Sequence, residues 1–328
     1  MPILNGQGPS FVPPTPPSTT DNSVVSSDLT ENLVVVARSP APDCEILKAP
    51  PPEDVIEATA RAKGDIVICL GVDINNYVQI IKKRGPDTVK FRVRRYSLRT
   101  GTLELAVLTP LHESLHVQLK RQVVNAVVAF PDSESRLSPL VGQPVDVPRL
   151  YWRNPPAPGF PQGNSQDALE ADASASPLNP CPYLGLGGTL VILPGVTQVL
   201  AELRQYAKVW LNAPGLKKLV LLVTACPKDR VILIEKWSQG SLSPSLPHQR
   251  TLVADQWISI SPKEGGFSVT GGPLELDFRT LFLRRPTPGQ GDSIVIDDNM
   301  LKEYATSVWN EVGNFPTAST TFARPRPN

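Results

Sequence analysis

Residues 87–129 read DTVKFRVRRYSLRTGTLELAVLTPLHESLHVQLKRQVVNAVVA, and two periodicities meet inside that stretch. Up to Thr109 apolar residues alternate with polar or basic ones, the pattern of strands whose successive side chains point to opposite faces. Leu98 to Gly101 interrupts the alternation with turn-forming residues, which predicts a β-hairpin. From Leu111 the spacing changes. Leu111, Leu115, Leu119, Val123 and Val127 recur four apart, joined by Val124 and Val128, so a helix over about 111–129 carries one apolar face. Such a helix needs a sheet to pack on.

Downstream, GTLVIL (188–193) reads as a buried strand. Thr197 can cap a helix with an apolar stripe of Val199, Leu200, Leu203, Ala207, Trp210 and Leu211, ended by Pro214 and Gly215. LKKLVLLVTA (216–225) and RVILIEKW (230–237) are two further strands around the turn from Cys226 to Asp229. LELDFRTLFL (274–283) leads to a late helix around DDNMLKEYATSVWNEV (297–312). Upstream, PPEDVIEATARAKG (51–64) suits a short helix: Pro52 fits the first turn, Glu53 and Asp54 complement the dipole, and Gly64 can close the end. The order predicts an α/β fold, a mixed β-sheet flanked by helices.

With 36 prolines in 328 residues, much of the chain falls outside regular structure. Residues 1–30 read as a disordered Pro/Ser/Thr-rich tail, 31–312 as a single α/β domain, about 131–188 as a Pro-rich insertion, and 313–328 as a second disordered tail. The 32 basic and 31 acidic residues leave a net charge of +1, so no global field draws the chain onto nucleic acid or an anionic membrane. Cys44, Cys69, Cys181 and Cys226 form no CxxC pair, which points to buried free thiols. Core packing is the expectation for Trp152, Trp210, Trp237, Trp257 and Trp309. No secretory signal and no apolar run of about 18 residues appears, so the expected protein is soluble and intracellular, cytoplasmic or nuclear, with no membrane partner. The glycines of GLGG precede their strand instead of following it, and no GxSxG elbow occurs, which sets aside a phosphate loop and a serine hydrolase.

Two constellations carry chemistry. His112-Glu113-Ser114-Leu115-His116 matches HExxH, in which two histidines one helical turn apart bind zinc and the glutamate activates a metal-bound water. Two readings are open: a zinc hydrolase on His112, Glu113 and His116, or two histidines on an ordinary helix face. The zinc reading lacks a third ligand, since His248, the remaining histidine, lies far downstream in a Pro/Ser-rich loop. In the run KKRGPDTVKFRVRR (82–95), alternation puts Lys90, Arg92 and Arg94 on one strand face, as a phosphate-binding strip or a solvated sheet face. No aromatic ladder for base stacking accompanies them.

The second constellation comes from a resemblance. YSLRTGTLELAVLTPLHESLH (96–116), EADASASP (170–177), GTLVILPGVTQVLAELRQYAKVWL (188–211), KLVLLVTACPKDRVILIEKW (218–237) and LDFRTLFLRRPTPGQGDSIVIDDNMLKEYATSVW (276–309) occur in that order. Together they resemble a widespread group of fungal proteins of mostly unassigned role, with a restriction-endonuclease-like core of the PD-(D/E)XK type. The resemblance implies a restriction-endonuclease-like core in which an acid on the first core helix, an aspartate at the start of a strand and a glutamate in the next strand gather Mg²⁺ or Mn²⁺ for phosphodiester cleavage. Carried over, the helix acid is Glu113 and the aspartate is Asp172; Leu193 stands at the glutamate position and Gly195 at that of the expected lysine. Leucine has no lone pair for a cation. The implied protein is therefore a degenerate, non-catalytic nuclease relative with an interaction or accessory role and no cofactor, whose partners are proteins or, less directly, nucleic acid. The alternative is an active Mg²⁺- or Mn²⁺-dependent nuclease with Glu170 or Glu202 as substitute ligand and Arg204 or Lys208 as substitute cation.

Overall fold

The computed structural model describes residues 45–62, 64, 66–84, 91–130, 150–153, 167–168, 170–177, 188–196, 200–212, 219–242, 250–288 and 290–314. The tail at 1–30, most of the tail at 313–328, much of the 131–188 insertion, Lys90, Thr197, His248, Cys44 and Cys181 lie outside the described residues.

The elements in chain order are β1 (Glu45–Lys48), α1 (Pro52–Arg61), β2 (Ile66–Leu70), α2 (Ile74–Lys83), β3 (Phe91–Ser97), β4 (Thr102–Val107), α3 (Pro110–Ala129), β5 (Leu150–Arg153), β6 (Asp167–Ala168) and β7 (Ala173–Pro177). There follow β8 (Leu190–Gly195), α4 (Leu200–Asn212), β9 (Leu219–Cys226), β10 (Val231–Leu242), β11 (Arg250–Lys263), β12 (Gly266–Thr270), β13 (Leu274–Asp277), α5 (Phe278–Phe282), β14 (Ser293–Ile296) and α6 (Asp298–Asn314). The class is mixed α/β, with mixed sheets flanked by helices.

The single sheet expected from the sequence is in fact two larger sheets and a β13–β14 ribbon. The first has strand order β1-β2-β4-β3-β6, with β1 parallel to β2 and the β3–β4 hairpin inside it. The second has order β12-β11-β10-β9-β8-β7-β5; here β8 and β9 run parallel across the α4 crossover and their other neighbours are antiparallel. The division has a packing cause. Phe91, Val93, Tyr96, Leu103 and Leu105 on one hairpin face are already covered by Val55 and Ala58 of α1 and Tyr77 and Ile80 of α2. The helix after the hairpin must therefore bury its apolar face elsewhere, and it does so against the second sheet.

Helix α3 begins where the sequence places it: the Thr109 side chain accepts from the His112 amide at 3.2 Å, and Pro110 occupies the first turn. Leu111, Leu115, Leu119, Val123 and Val127 are buried as expected, but Val124 is half-buried and Val128 is 79% exposed. The buried surface of α3 instead extends to polar residues: His112, Ser114, His116, Gln118 and Gln122 are all buried. Ser114 Oγ and Gln118 Nε2 donate to Glu311 of α6, so the helix is clasped between the second sheet and α6.

Other expectations shift in detail. Helix α1 ends at Arg61 with Ala62 as its cap, short of Gly64. The 131–188 segment contributes strands β5, β6 and β7 and is not wholly irregular, and α6 runs to Asn314, into the expected C-terminal tail. Trp210, Trp237 and Trp309 are buried, whereas Trp257 is 45% exposed on β11. Cys69 is buried, with its thiol pushed up to about 12 by burial, while Cys226 is half-buried and donates to Asp229. Among the described residues no helix is long and apolar enough to cross a membrane.

Leu115 is 0% exposed in the core that α3 shares with the second sheet and α6. Leu115→Ala is expected to cost about 2–5 kcal/mol in urea unfolding. Val128→Ala, on the exposed side, should fall within about 0.5 kcal/mol of the parent.

Candidate functional site

The site begins with a register shift in β3. Val93 pairs with Leu105 and Arg95 with Glu104, so two residues of β3 advance against one of β4 and Arg94 is the extra residue of a bulge. A bulge re-aims its side chain. The alternation that would set Lys90, Arg92 and Arg94 in one strip therefore fails: Arg92 is half-buried, Arg94 is only 2% exposed, and Lys90 lies outside the described residues. A phosphate-binding strip built on Arg92 and Arg94 is not what these side chains form.

Arg94 reaches from the first sheet into the second. Its Nη1 donates to Asp172 Oδ2 at 2.5 Å, and its Nη2 donates to the carbonyl of Pro194 in β8. Asp172, just before β7, is itself buried, and its Oδ1 accepts from His112 Nε2 at 2.8 Å. A carboxylate only accepts, so this hydrogen bond assigns the proton to Nε2. Burial alone would raise the Asp172 carboxyl. The Arg94 guanidinium and His112 outweigh it and hold the group well below the ordinary carboxylate range.

One helical turn further on, His116 Nδ1 donates to the carbonyl of His112 at 3.2 Å. Its Nε2 then faces Glu113 Oε2 at 3.9 Å. Burial lowers the His116 pKa more than Asp172 and Glu113 raise it, so the ring is held below its ordinary value. Glu113 is partly open, with its side chain 37% exposed, while its Oε1 is buried without a hydrogen-bond partner.

A second ion cluster lies two residues before Asp172. Glu170 accepts from Arg84 Nη1 at 2.6 Å, from Arg92 Nη1 at 3.4 Å and from the Val93 amide at 2.9 Å. Its own amide donates to the Val93 carbonyl at 2.9 Å. Glu170 and Asp172 thus each hold an arginine of β3.

The residues singled out in the sequence come together only in part. Asp172 and Glu113 both act on His116, yet both oxygens of Asp172 are spent on Arg94 and His112. Glu170, one substitute ligand, is saturated by arginines, and Glu202, the other, is on the exposed side of α4. Leu193 is 1% exposed in an apolar cluster with Val191, Leu203 and Leu222 beneath α4. Arg204 is committed to Glu235 of β10, donating from Nη2 at 2.5 Å and from Nε at 3.1 Å, while Trp237 Nε1 donates to the same carboxylate at 2.9 Å. For the zinc reading, His112 uses Nε2 and His116 uses Nδ1 as donors. Among the described residues no group of three or more His, Cys, Asp or Glu side chains is arranged to hold a metal ion.

Arg94 is the site residue that alternation conceals. Its signal was present in the sequence: Phe91, Val93 and Tyr96 are spaced two and then three apart, and the extra residue falls at the Arg94-Arg95 doublet. Glu235, a lone acid in the apolar run VILIEKW, was visible in the same way. No family model, no curated protein and no solved structure matches this chain.

Two outcomes follow from this geometry. Arg94→Met strands a buried carboxylate and is expected to cost about 3–5 kcal/mol. Adding Asp172→Asn should recover part of that loss, and a double-mutant cycle by chemical denaturation should show a coupling of about 0.5–3 kcal/mol. For pH, both lowered groups act with the same sign, because the folded state binds fewer protons than the unfolded one. The His116 contribution is complete above the ordinary histidine value of about 6.5 and is lost as pH falls below it; the Asp172 contribution is lost below about 3.9. His116→Gln should flatten the upper fall in unfolding free energy, and Asp172→Asn the lower one.

Proposed function

We propose that the chain is a degenerate, restriction-endonuclease-like protein that acts by interaction and does not cleave phosphodiesters. The observation that carries this reading is the guanidinium of Arg94, bound to Asp172 and to the Pro194 carbonyl beside Leu193. A PD-(D/E)XK-type site uses converging carboxylates to recruit a divalent cation. Here one acid position is leucine, and the remaining strand acid is neutralised by a cation of the chain itself. Arginine does not lose its proton at any accessible pH, so Arg94 cannot withdraw its charge to admit a metal.

The order of elements supports the resemblance. An acid on a helix (Glu113 on α3) precedes an aspartate at the entrance to a strand (Asp172 before β7); the next strand, β8, carries Leu193 and leads through α4 to β9, parallel to it. What remains around Asp172 is an ion-pair network whose carboxylate oxygens are already bonded to Arg94 and His112. Arg92 and Arg94 spend their charges on Glu170 and Asp172, so the β3 strip offers little to a phosphate backbone, which at this place favours protein partners over nucleic acid.

Purified full chain is expected to leave linear DNA, supercoiled DNA and RNA intact in Mg²⁺ or Mn²⁺, at the background of its Asp172→Asn variant. Divalent-dependent cleavage that Asp172→Asn abolishes would overturn the reading and restore the alternative of an active nuclease with a rearranged site.

A further inference from the structure

Away from Asp172, the second half of α3, the turn between β11 and β12, and α6 form the walls of an open cleft of about 560 Å³. Its nearest α3 residue, Arg121, is nine positions after His112, about 13 Å along the helix at 1.5 Å per residue, so the two places are separate. We propose that this cleft binds a small molecule bearing a phosphate or pyrophosphate group.

The charges are the first observation. Arg121 from α3, Lys263 from the end of β11 and Lys302 from α6 line the cleft, against one acid, Glu303. Three elements thus bring three cations to one small space. Among the described residues none of the three forms an ion pair, although the chain as a whole is almost neutral at +1. Elsewhere the chain matches its buried bases with acids: Arg94 with Asp172, Arg92 and Arg84 with Glu170, Arg204 with Glu235. Arg121 and Lys263 are exposed and Lys302 is half-buried, so the three face solvent from separate elements, and an anion bound between them is what would balance their charge.

A buried amide stands beside these cations. Gln122 lines the same cleft, is only 4% exposed, and its side-chain Oε1 is buried with no hydrogen-bond partner. Buried amides are ordinarily paired.

The rest of the lining fits a small anion. Gly265 and Gly266 have φ of +76° and +152°, and a Cβ on either would meet nothing within 4 Å, so the turn leaves its peptide groups uncovered by side chains. Phe267 forms a buried apolar element, and the hydroxyls of Thr306 and Ser307 stand on the α6 side. The volume is that of a small-molecule pocket.

Isothermal titration of the full chain with inorganic pyrophosphate, with inorganic phosphate as the smaller probe and sodium sulfate at matched ionic strength as control, tests the proposal. Saturable binding of pyrophosphate at one site per chain is expected, tighter than sulfate. Lys263→Gln and Lys302→Gln should each weaken it about tenfold, the loss of one charge-assisted hydrogen bond, with Tm unchanged because neither side chain forms an ion pair among the described residues. Absence of saturable binding overturns the proposal. So does binding that survives both substitutions, or binding of a duplex oligonucleotide through these lysines without binding of pyrophosphate. None of these results bears on nuclease activity, so this proposal and the reading of the Asp172 site fail separately.

Discussion

The ion pair between Arg94 and Asp172 is the constraint on which the interior arrangement turns. Taking both charges out of water is costly, and their mutual attraction offsets that cost only when the remaining donors and acceptors are also satisfied. The surroundings meet that condition for both carboxylate oxygens and both terminal guanidinium nitrogens, while Arg94 Nε and His112 Nδ1 are buried without a partner. One oxygen of Asp172 is held by the guanidinium and the other by His112, while the second arm of the guanidinium ends on the Pro194 carbonyl. The planar fork of arginine suits this task, because it reaches two acceptors in separate strands at once. A single side chain on the first sheet is thereby tied to β8 of the second sheet, to the entrance of β7 and, through Asp172, to the first turn of α3. Glu170 repeats the device one step earlier with Arg84, Arg92 and the Val93 amide.

That constraint explains which parts of the fold were legible in the sequence. The hairpin, α3 and α4 announce themselves because each buries one face and periodicity records it, and β8 and β9 because they are continuous runs of large apolar residues. Strand β7, Ala173–Pro177, reads ASASP; it is buried on both faces like β8, but by small and hydroxyl residues that form neither an alternation nor an apolar run. It vanished into a segment that resembles a loop. The division into two sheets was equally hidden, because the α1 and α2 surfaces that occupy the hairpin face give no sign in sequence of what they cover. Asp172 taken alone has the look of an exposed residue between alanines and serines, and the resemblance was what singled it out. Its partner was missed because the bulge at Arg94 displaces one residue from a pattern assumed to be regular.

The same geometry changes the meaning of the HESLH string. Its first histidine supports a carboxylate, and its second caps nothing but its own helix while sitting close to Glu113. The residues that a metalloenzyme would use to collect a cation are here used to position one another around a cation already covalently part of the chain. A recruited ion can leave and exchange; a guanidinium on a strand cannot. What results is an ion-paired junction between the two sheets; on the proposed reading it stands where a nuclease would keep an open, hydrated centre. Charge left without a counter-charge lies instead between α3, α6 and the β11–β12 turn, where Arg121, Lys263 and Lys302 converge.

The most direct measurement of the built-in counter-ion is the side-chain carboxyl ¹³C resonance of Asp172, followed into acid and then at neutral pH with added Mg²⁺. With Arg94 and His112 in place, the carboxyl should remain ionised below the ordinary aspartate value of about 3.9 and should not move with Mg²⁺. Titration at or above that value, or a saturable shift on adding Mg²⁺, would contradict a site whose cation is Arg94.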